Sequence, residues 1–406
     1  MEKSNSNLLS LNSIKNILTL RYNLSINPTL PKLTEKDFIS TKTNFSTEFI
    51  EETIVDTFKK NIGNDCKKIS IALSAGIDST LNLAILRKNF PDLEINAISM
   101  HFADSIDETP EAEKIARHFD ANHEIIQLDN FLIELPKAIS ITKQPFWDLH
   151  WYHIVKKAKT QSNYLISGDG GDELFGGYTF RYKKYLTLVN QNSSPTQRIK
   201  AYLECHNRDW VKDQKKVFGT NINFSWNKIY ELFIPYFDNS LSLLQQVFLA
   251  DYNGKLLYNF NPINLKFHEY FEIKSITPLL SNEMIRYGSH LQTDLKYNKI
   301  SNIGKIPLRK LLSKYIDDNF LTKNKMGFSV NTKKLWERFG FQLCKKYLIN
   351  SNIINEELIS SSWIKDNLKE NLEVEYVNKF LGLLAFEIWY RIFITKEMNS
   401  ETKLSI

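Results

Sequence analysis

The chain has 406 residues, 42% of them apolar and 24% charged, and carries a net charge of +6. This balance excludes a disordered chain or a small disulfide-stapled scaffold, and the length suffices for two or three domains. The mild positive excess can help attract an anionic nucleotide, but no basic cluster interleaved with aromatics marks a nucleic-acid interface. No run approaches the roughly 18 consecutive apolar residues of a membrane span. Cys66, Cys205 and Cys344 lie far apart, outside any metal-ligand spacing, and no apolar secretory segment follows the start. A reduced, cytoplasmic setting is expected.

Residues 1–45 are expected to form an accessory segment. Leu8 to Tyr22 repeats apolar residues at helical spacing, Pro28 and Pro31 break it, and Lys32 to Asn44 is mostly polar. A nucleotide-binding unit is expected over 46–190. Ser46 to Lys59 carries Phe49, Ile50, Ile54, Val55 and Phe58 on one face of a helix. Ile69–Leu73 follows as a charge-free strand, then a helix up to Pro91. Ile95–Met100 is a second strand, running out at His101-Phe102; Pro110 opens a helix, and His123–Leu128 is a third strand. Leu132–Ile141 and Trp151–Lys159 read as helices, and Tyr164–Ser167 as a fourth strand. Alternating strands and helices predict a doubly wound parallel sheet, with ligands beyond the carboxyl ends of its strands. From about Gln191 to 406 the spacing turns helical, through Leu241–Leu257, Leu308–Ile316, Leu335–Leu348 and Val377–Ile394. A mostly helical second part is expected there.

Two turns can carry chemistry. After the first strand, Ser74-Ala75-Gly76 lets backbone approach a ligand, and Asp78-Ser79-Thr80 opens a helix whose free N–H groups suit phosphate. After the fourth strand, Ser167 to Tyr178 packs five glycines and three acids into twelve residues. Carboxylates beside phosphate have one common purpose, to hold Mg2+ with oxygen ligands, so Asp78 and Asp172 read as a metal-binding pair. His150 and His153 have helical metal spacing but no third ligand nearby, and are read as surface or hydrogen-bonded histidines. No Gly-Lys-Ser/Thr and no Gly-x-Gly-x-x-Gly follows the first strand, against a Walker-type hydrolase or a nicotinamide dehydrogenase.

Together these stretches resemble the synthetase domain of the asparagine synthetase family, of the PP-loop ATP pyrophosphatase class. The family's Ser-Gly-Gly-x-Asp-Ser stands here as Ser74-Ala75-Gly76-Ile77-Asp78-Ser79, and Ser167 to Tyr178 closely matches its later glycine-rich element. Pro145-Phe146-Trp147-Asp148, Lys305-Ile306-Pro307-Leu308-Arg309, Lys325-Met326-Gly327-Phe328 and Leu383 to Trp389 resemble further elements in the family's order. The resemblance spans about Phe45 to Phe393. It implies an ATP-dependent amide ligase working through an acyl-adenylate, releasing pyrophosphate and then AMP. By position, Leu73, Met100, Ser167 and Gly168 would contact ATP, and Ser74, Gly76, Asp78 and Ser79 would cradle pyrophosphate. Asp78 and Asp172 would hold Mg2+, Lys325 would neutralise the departing pyrophosphate, and Glu272 would assist deprotonation of the amine. The default substrates are aspartate and ammonia.

Three departures stand out. Ala75 replaces a glycine, which costs roughly 1 kcal/mol if that residue needs a positive φ. No Cys occurs before Cys66, so the family's glutamine-hydrolysing half is expected to be missing, and ammonia to come from solution, from an amine substrate or from a separate amidase. Tyr258 to Lys274 matches the acceptor-binding stretch poorly, which opens two alternatives: a ligase or cyclase for another carboxylate and amine, or a degenerate nucleotide-binding subunit. A homo-oligomer is compatible with the sequence.

Overall fold

Residues 9–39, 45–102, 104–317 and 330–406 are described by the computed structural model of the chain. Four strands form where uninterrupted apolar runs predict them: Lys68–Ala72 (β1), Glu94–Phe102 (β2), Asn122–Leu128 (β3) and Tyr164–Ile166 (β4). A fifth, Lys274–Ile276 (β5), comes from the stretch expected to be helical. Its three residues show no readable periodicity; pairing with β4 makes them a strand.

The strands form one parallel sheet in the order β3-β2-β1-β4-β5. The chain runs outward from β1 through β2 to β3, then returns to lay β4 on the other side of β1. The order therefore reverses between β1 and β4, where Ser70 pairs with Leu165 and Ile71 with Ile166. Neighbouring connections diverge at such a point and leave a crevice beyond the carboxyl ends. Both glycine-containing turns open into it.

The helices of the first half are Leu11–Leu20 (α1), Thr47–Asn61 (α2), Ile77–Asn89 (α3), Thr109–His118 (α4), Leu135–Thr142 (α5), Trp151–Lys159 (α6), Gly171–Phe175 (α7), Thr179–Leu188 (α8) and Pro195–Cys205 (α9). Every residue of α3 from Ile77 to Leu86 is buried, because the helix lies between β1, α2 and the helix Ile306–Leu312. The α1 helix starts on Ser10, whose hydroxyl accepts from the Ser13 N–H, and packs against the long closing helix Val374–Phe393. Two expected helices are interrupted. Leu243–Asp251 continues into a π-helical stretch, Tyr252–Phe260, broken at Gly254 with φ −97° and ψ −113°. Thr332–Leu335 passes through π-helical Trp336–Gly340 into Phe341–Leu348. Among the described residues no helix is long and apolar enough to cross a membrane.

Candidate active site

The turn after β1 is held by its own hydroxyls. Ser79 Oγ donates to the Ser74 carbonyl at 2.9 Å and accepts from the Ser74 N–H at 3.2 Å, while the Gly76 N–H donates to Ser74 Oγ at 3.3 Å. Gly76 is the N-cap of α3 without a side-chain cap, so the first N–H groups of that helix are not capped by a side chain at this position. Ala75 is buried, and its φ is not among the positive values found for nine other non-glycine residues among those described. Its methyl therefore carries no left-handed strain. Asn82, one turn further along α3, donates from Nδ2 to the Ser167 carbonyl at 3.0 Å and ties this turn to the end of β4.

The second turn shows why its glycines are needed. A Cβ on Gly168 would lie 2.8 Å from Asp78 Cβ and 3.0 Å from the Ser79 nitrogen. One on Gly171 would lie 2.4 Å from Asp78 Oδ1, and one on Gly177 only 1.8 Å from Asp172 Oδ1. Gly170 takes φ +94°, which L side chains rarely adopt. Three glycines thus clear the space that the two aspartates occupy.

Between those aspartates lies Lys305, at a left-handed φ of 56° at the start of the helix Ile306–Leu312. Its Nζ donates to Asp78 Oδ2 at 2.5 Å and lies 2.7 Å from Asp172 Oδ1. Burial by itself would lower the lysine pKa; Asp172 and Asp78 reverse that and hold it above the ordinary value. The side chains of Lys305 and Asp78 are each 7% exposed and that of Asp172 36%, so the cluster has one wet side. That side faces a cleft of about 280 Å³ lined by Ser74, Asp78, Ser79, Ser167, Gly168 and Asp172. Convergence of two carboxylates on one point is the donor chemistry a hard divalent cation needs. Among the described residues no cluster of three or more His, Cys, Asp or Glu could hold a metal ion, so phosphate or water oxygens would have to complete such a shell.

Leu73 and Met100 line a smaller cavity beside the cleft, at the ends of β1 and β2, with Ser74, Ser99, Phe102 and Thr109. Ser99 Oγ donates to the Leu73 carbonyl at 2.7 Å and fixes the two strand ends together. Eight of the expected residues (Leu73, Ser74, Asp78, Ser79, Met100, Ser167, Gly168 and Asp172) therefore line one of the two cavities, and Gly76 lies in the turn between them. Glu272 does not join them. It is exposed, sits at the amino end of β5 with φ 51°, and its carbonyl accepts from Lys159 Nζ. A parallel sheet binds ligands at the opposite end of its strands. Lys325 lies outside the described residues. His153 faces Glu134 at 3.4 Å and His150 lines the cleft, so the two do not form a metal pair.

Sequence reasoning quoted Lys305 within a motif and gave it no role; only its partners reveal one. It also missed Arg21, which closes the N-terminal segment over the site. Arg21 pairs with Asp148 and, at 3.3 Å, with Asp209, and lies over the Trp147 ring. Glu173 was likewise passed over: it is buried beside Asp172, accepts from the Tyr178 hydroxyl at 2.6 Å, and burial pushes its carboxyl up to about 7.

The model of the family Asparagine synthase matches residues 50–391. A putative glutamine-hydrolysing asparagine synthetase of Mycobacterium tuberculosis is 22% identical over 384 residues, covering 85% of this chain and 57% of that protein. Asparagine synthetase 1 of Bacillus subtilis, also described as glutamine-hydrolysing, is 23% identical over 402 residues, covering 87% and 60%. The chain thus spans less than two thirds of the length of these relatives. Among solved structures, the NMN synthetase of Francisella tularensis aligns with 56% of this chain and 94% of its own at 13% identity and a TM-score of 0.27, too low to bear on the fold. With a family match running from α2 into the closing helix, the chain belongs to the asparagine synthase family.

Proposed function

We propose that the protein forms an amide bond at the expense of ATP. A substrate carboxylate attacks the α-phosphorus, pyrophosphate leaves, and an amine then displaces AMP from the acyl carbon. The observation that carries this reading is the convergence of Asp78 and Asp172 beside the start of α3, where Gly76 provides no side-chain cap. Aspartate and ammonia are the default substrates, and a separate amidase could supply the ammonia.

The division of labour follows from charge. Negative charge grows on phosphate oxygens as pyrophosphate departs, so fixed cations and N–H groups aimed at those oxygens are the main catalytic term. Ser74, Gly76 and Ser79 would bind the pyrophosphate, and Leu73, Met100, Ser167 and Gly168 the rest of the nucleotide. Asp78 and Asp172 would hold Mg2+, whose chemistry when bound is to neutralise phosphate charge. Lys305 holds both aspartates in place and keeps their charge compensated before ATP arrives. Lys325 would neutralise the departing pyrophosphate. The fit of Ala75 to its turn supports an active enzyme over a degenerate binding subunit.

The test is phosphorus NMR of the protein with ATP, Mg2+, aspartate and ammonium. AMP, pyrophosphate and asparagine appearing only when both aspartate and ammonium are present are expected. ADP and phosphate in their place would overturn the reading. AMP with aspartate alone would mean adenylation awaiting another amine.

A further inference from the structure

The cleft has more wall than the nucleotide reading uses. Asp148, His150, Trp151, Leu256, Phe260 and Asn264 also line it, and none of them lies in the two glycine-containing turns. Two stretches supply four of these residues. The loop between α5 and α6 carries Asp148 and His150, and the π-helical stretch Tyr252–Phe260 carries Leu256 and Phe260.

The residues that follow α1 join these two stretches. The Arg21 guanidinium pairs with Asp148 and lies 5.3 Å from the centre of the Trp147 ring, while the Arg21 carbonyl accepts from Asn259 Nδ2 at 2.7 Å. Asn23 repeats the pattern. Its Nδ2 donates to Gln144 Oε1 at 2.9 Å, and its N–H donates to the Tyr258 carbonyl at 3.2 Å. Between them the Tyr22 ring stacks on Tyr258, with centroids 6.4 Å apart. Arg21 and Asn23 thus each hold the loop with the side chain and the π-helical stretch with the backbone. This clasp is itself anchored. The Leu18 carbonyl accepts from buried Gln214 Nε2 at 3.0 Å and from buried Lys379 Nζ. Arg21 ends α1 at φ 59°, a conformation that glycine usually supplies, so the turn gains nothing from an arginine and the side chain's partners explain it. Asp209, 3.3 Å from Arg21, also has Lys255 at 2.5 Å, whereas Asp148 pairs with Arg21 alone among the described residues.

We infer that Arg21 and Asn23, outside residues 50–391 of the family match, are positioning residues that set the cleft wall receiving the carboxylate substrate. The role in substrate acceptance rests on the proposed ligation; the clasp does not. Removal of the Arg21 side chain releases the loop that carries Asp148 and His150. It also leaves the Asp148 carboxylate unbalanced before an anionic substrate. The turn after β1 is tied by its own hydroxyls and by Asn82, and keeps its hold on the nucleotide.

The test is ATP–pyrophosphate exchange of the full chain at varied aspartate, with ATP binding measured by calorimetry. Arg21→Ala should lower kcat/KM for aspartate by about 10- to 100-fold, chiefly through KM, with ATP affinity unchanged. Arg21→Lys should recover part of the loss, because lysine keeps the charge without the planar fork. Guanidinium chloride at a non-denaturing concentration should rescue Arg21→Ala, and sodium chloride at equal ionic strength should not. Asn259→Ala, which unties the other stretch, should raise the same KM and serves where Arg21→Ala does not fold. An unchanged KM, an equal loss of ATP affinity, or rescue by sodium chloride overturns the inference. If the unaltered protein does not exchange with aspartate, the ligase reading loses its default substrate, and hydrogen exchange decides the clasp alone. Either variant should then lose amide protection over 144–150 and 252–260 together and keep it over 74–80. Loss in only one of the two stretches, or in neither, overturns the clasp.

Discussion

The ammonium of Lys305 lies 2.5 Å from Asp78 Oδ2, although 227 positions separate the two residues in the chain. Asp172 completes the cluster at 2.7 Å. Without a lysine between them, two carboxylates this close in a largely buried site would repel each other. Breaking a buried pair by removing one partner costs about 3–5 kcal/mol. Lys305→Met should therefore lower the melting temperature of the metal-free protein, and Mg2+ should restore part of the loss. A melt that Mg2+ leaves unchanged would remove the aspartates from the metal role.

Asp78→Ala and Asp172→Ala should each lower turnover about a hundredfold or more while the fold survives, as expected for lost charge stabilisation at phosphate. Steady-state kinetics with circular dichroism checks both halves of that statement. Near-normal rates at saturating Mg2+ would contradict it.

Gly177→Ala is the sharpest steric test. Its Cβ would stand 1.8 Å from Asp172 Oδ1 and 2.4 Å from Lys305 Cε, so the carboxylate and the lysine must both shift. A displacement near 1 Å at a reacting centre costs about a hundredfold in rate. A variant with unchanged kcat would show that Asp172 does not need its position.

Ala75→Gly should do little for activity. Position 75 does not take a positive φ, so glycine relieves no strain there and instead loosens the unfolded chain, costing about 0.4–1 kcal/mol of stability. A gain in turnover would show that the methyl group obstructs a ligand.

The pH dependence of stability should carry a histidine signature. His268 Nε2 accepts from Trp151 Nε1 at 3.3 Å, and its Nδ1–H faces the Ile273 carbonyl at 3.3 Å, so the ring is held neutral. Burial lowers its pKa from 6.5 to about 4. Between those values the unfolded chain binds a proton and the folded chain does not. Stability is therefore full above about pH 6.5 and falls as the pH drops toward about 4, by up to about 3 kcal/mol. Urea unfolding at a series of pH values should show that slope, and His268→Phe should reduce it whatever its baseline, leaving the share of the other buried histidines such as His153.

The sequence by itself determined the four strands β1 to β4, their doubly wound parallel class and the two turns that line the cleft. Both signals are local: an apolar run makes a buried strand, and small residues after it make a turn. The same locality explains Ser74, Asp78, Ser79, Gly168 and Asp172, each a few residues past a strand end. Tertiary structure alone decided the rest. Lys274–Ile276 becomes β5 only because β4 offers an open edge. Its direction puts Glu272 at the wrong end of the sheet, an outcome no spacing rule contains. Lys305 and Arg21 acquire their partners from 127 to 227 positions away, and burial then sets what each charge costs. Periodicity reports which face of an element is apolar. It does not report which distant charge that face will meet.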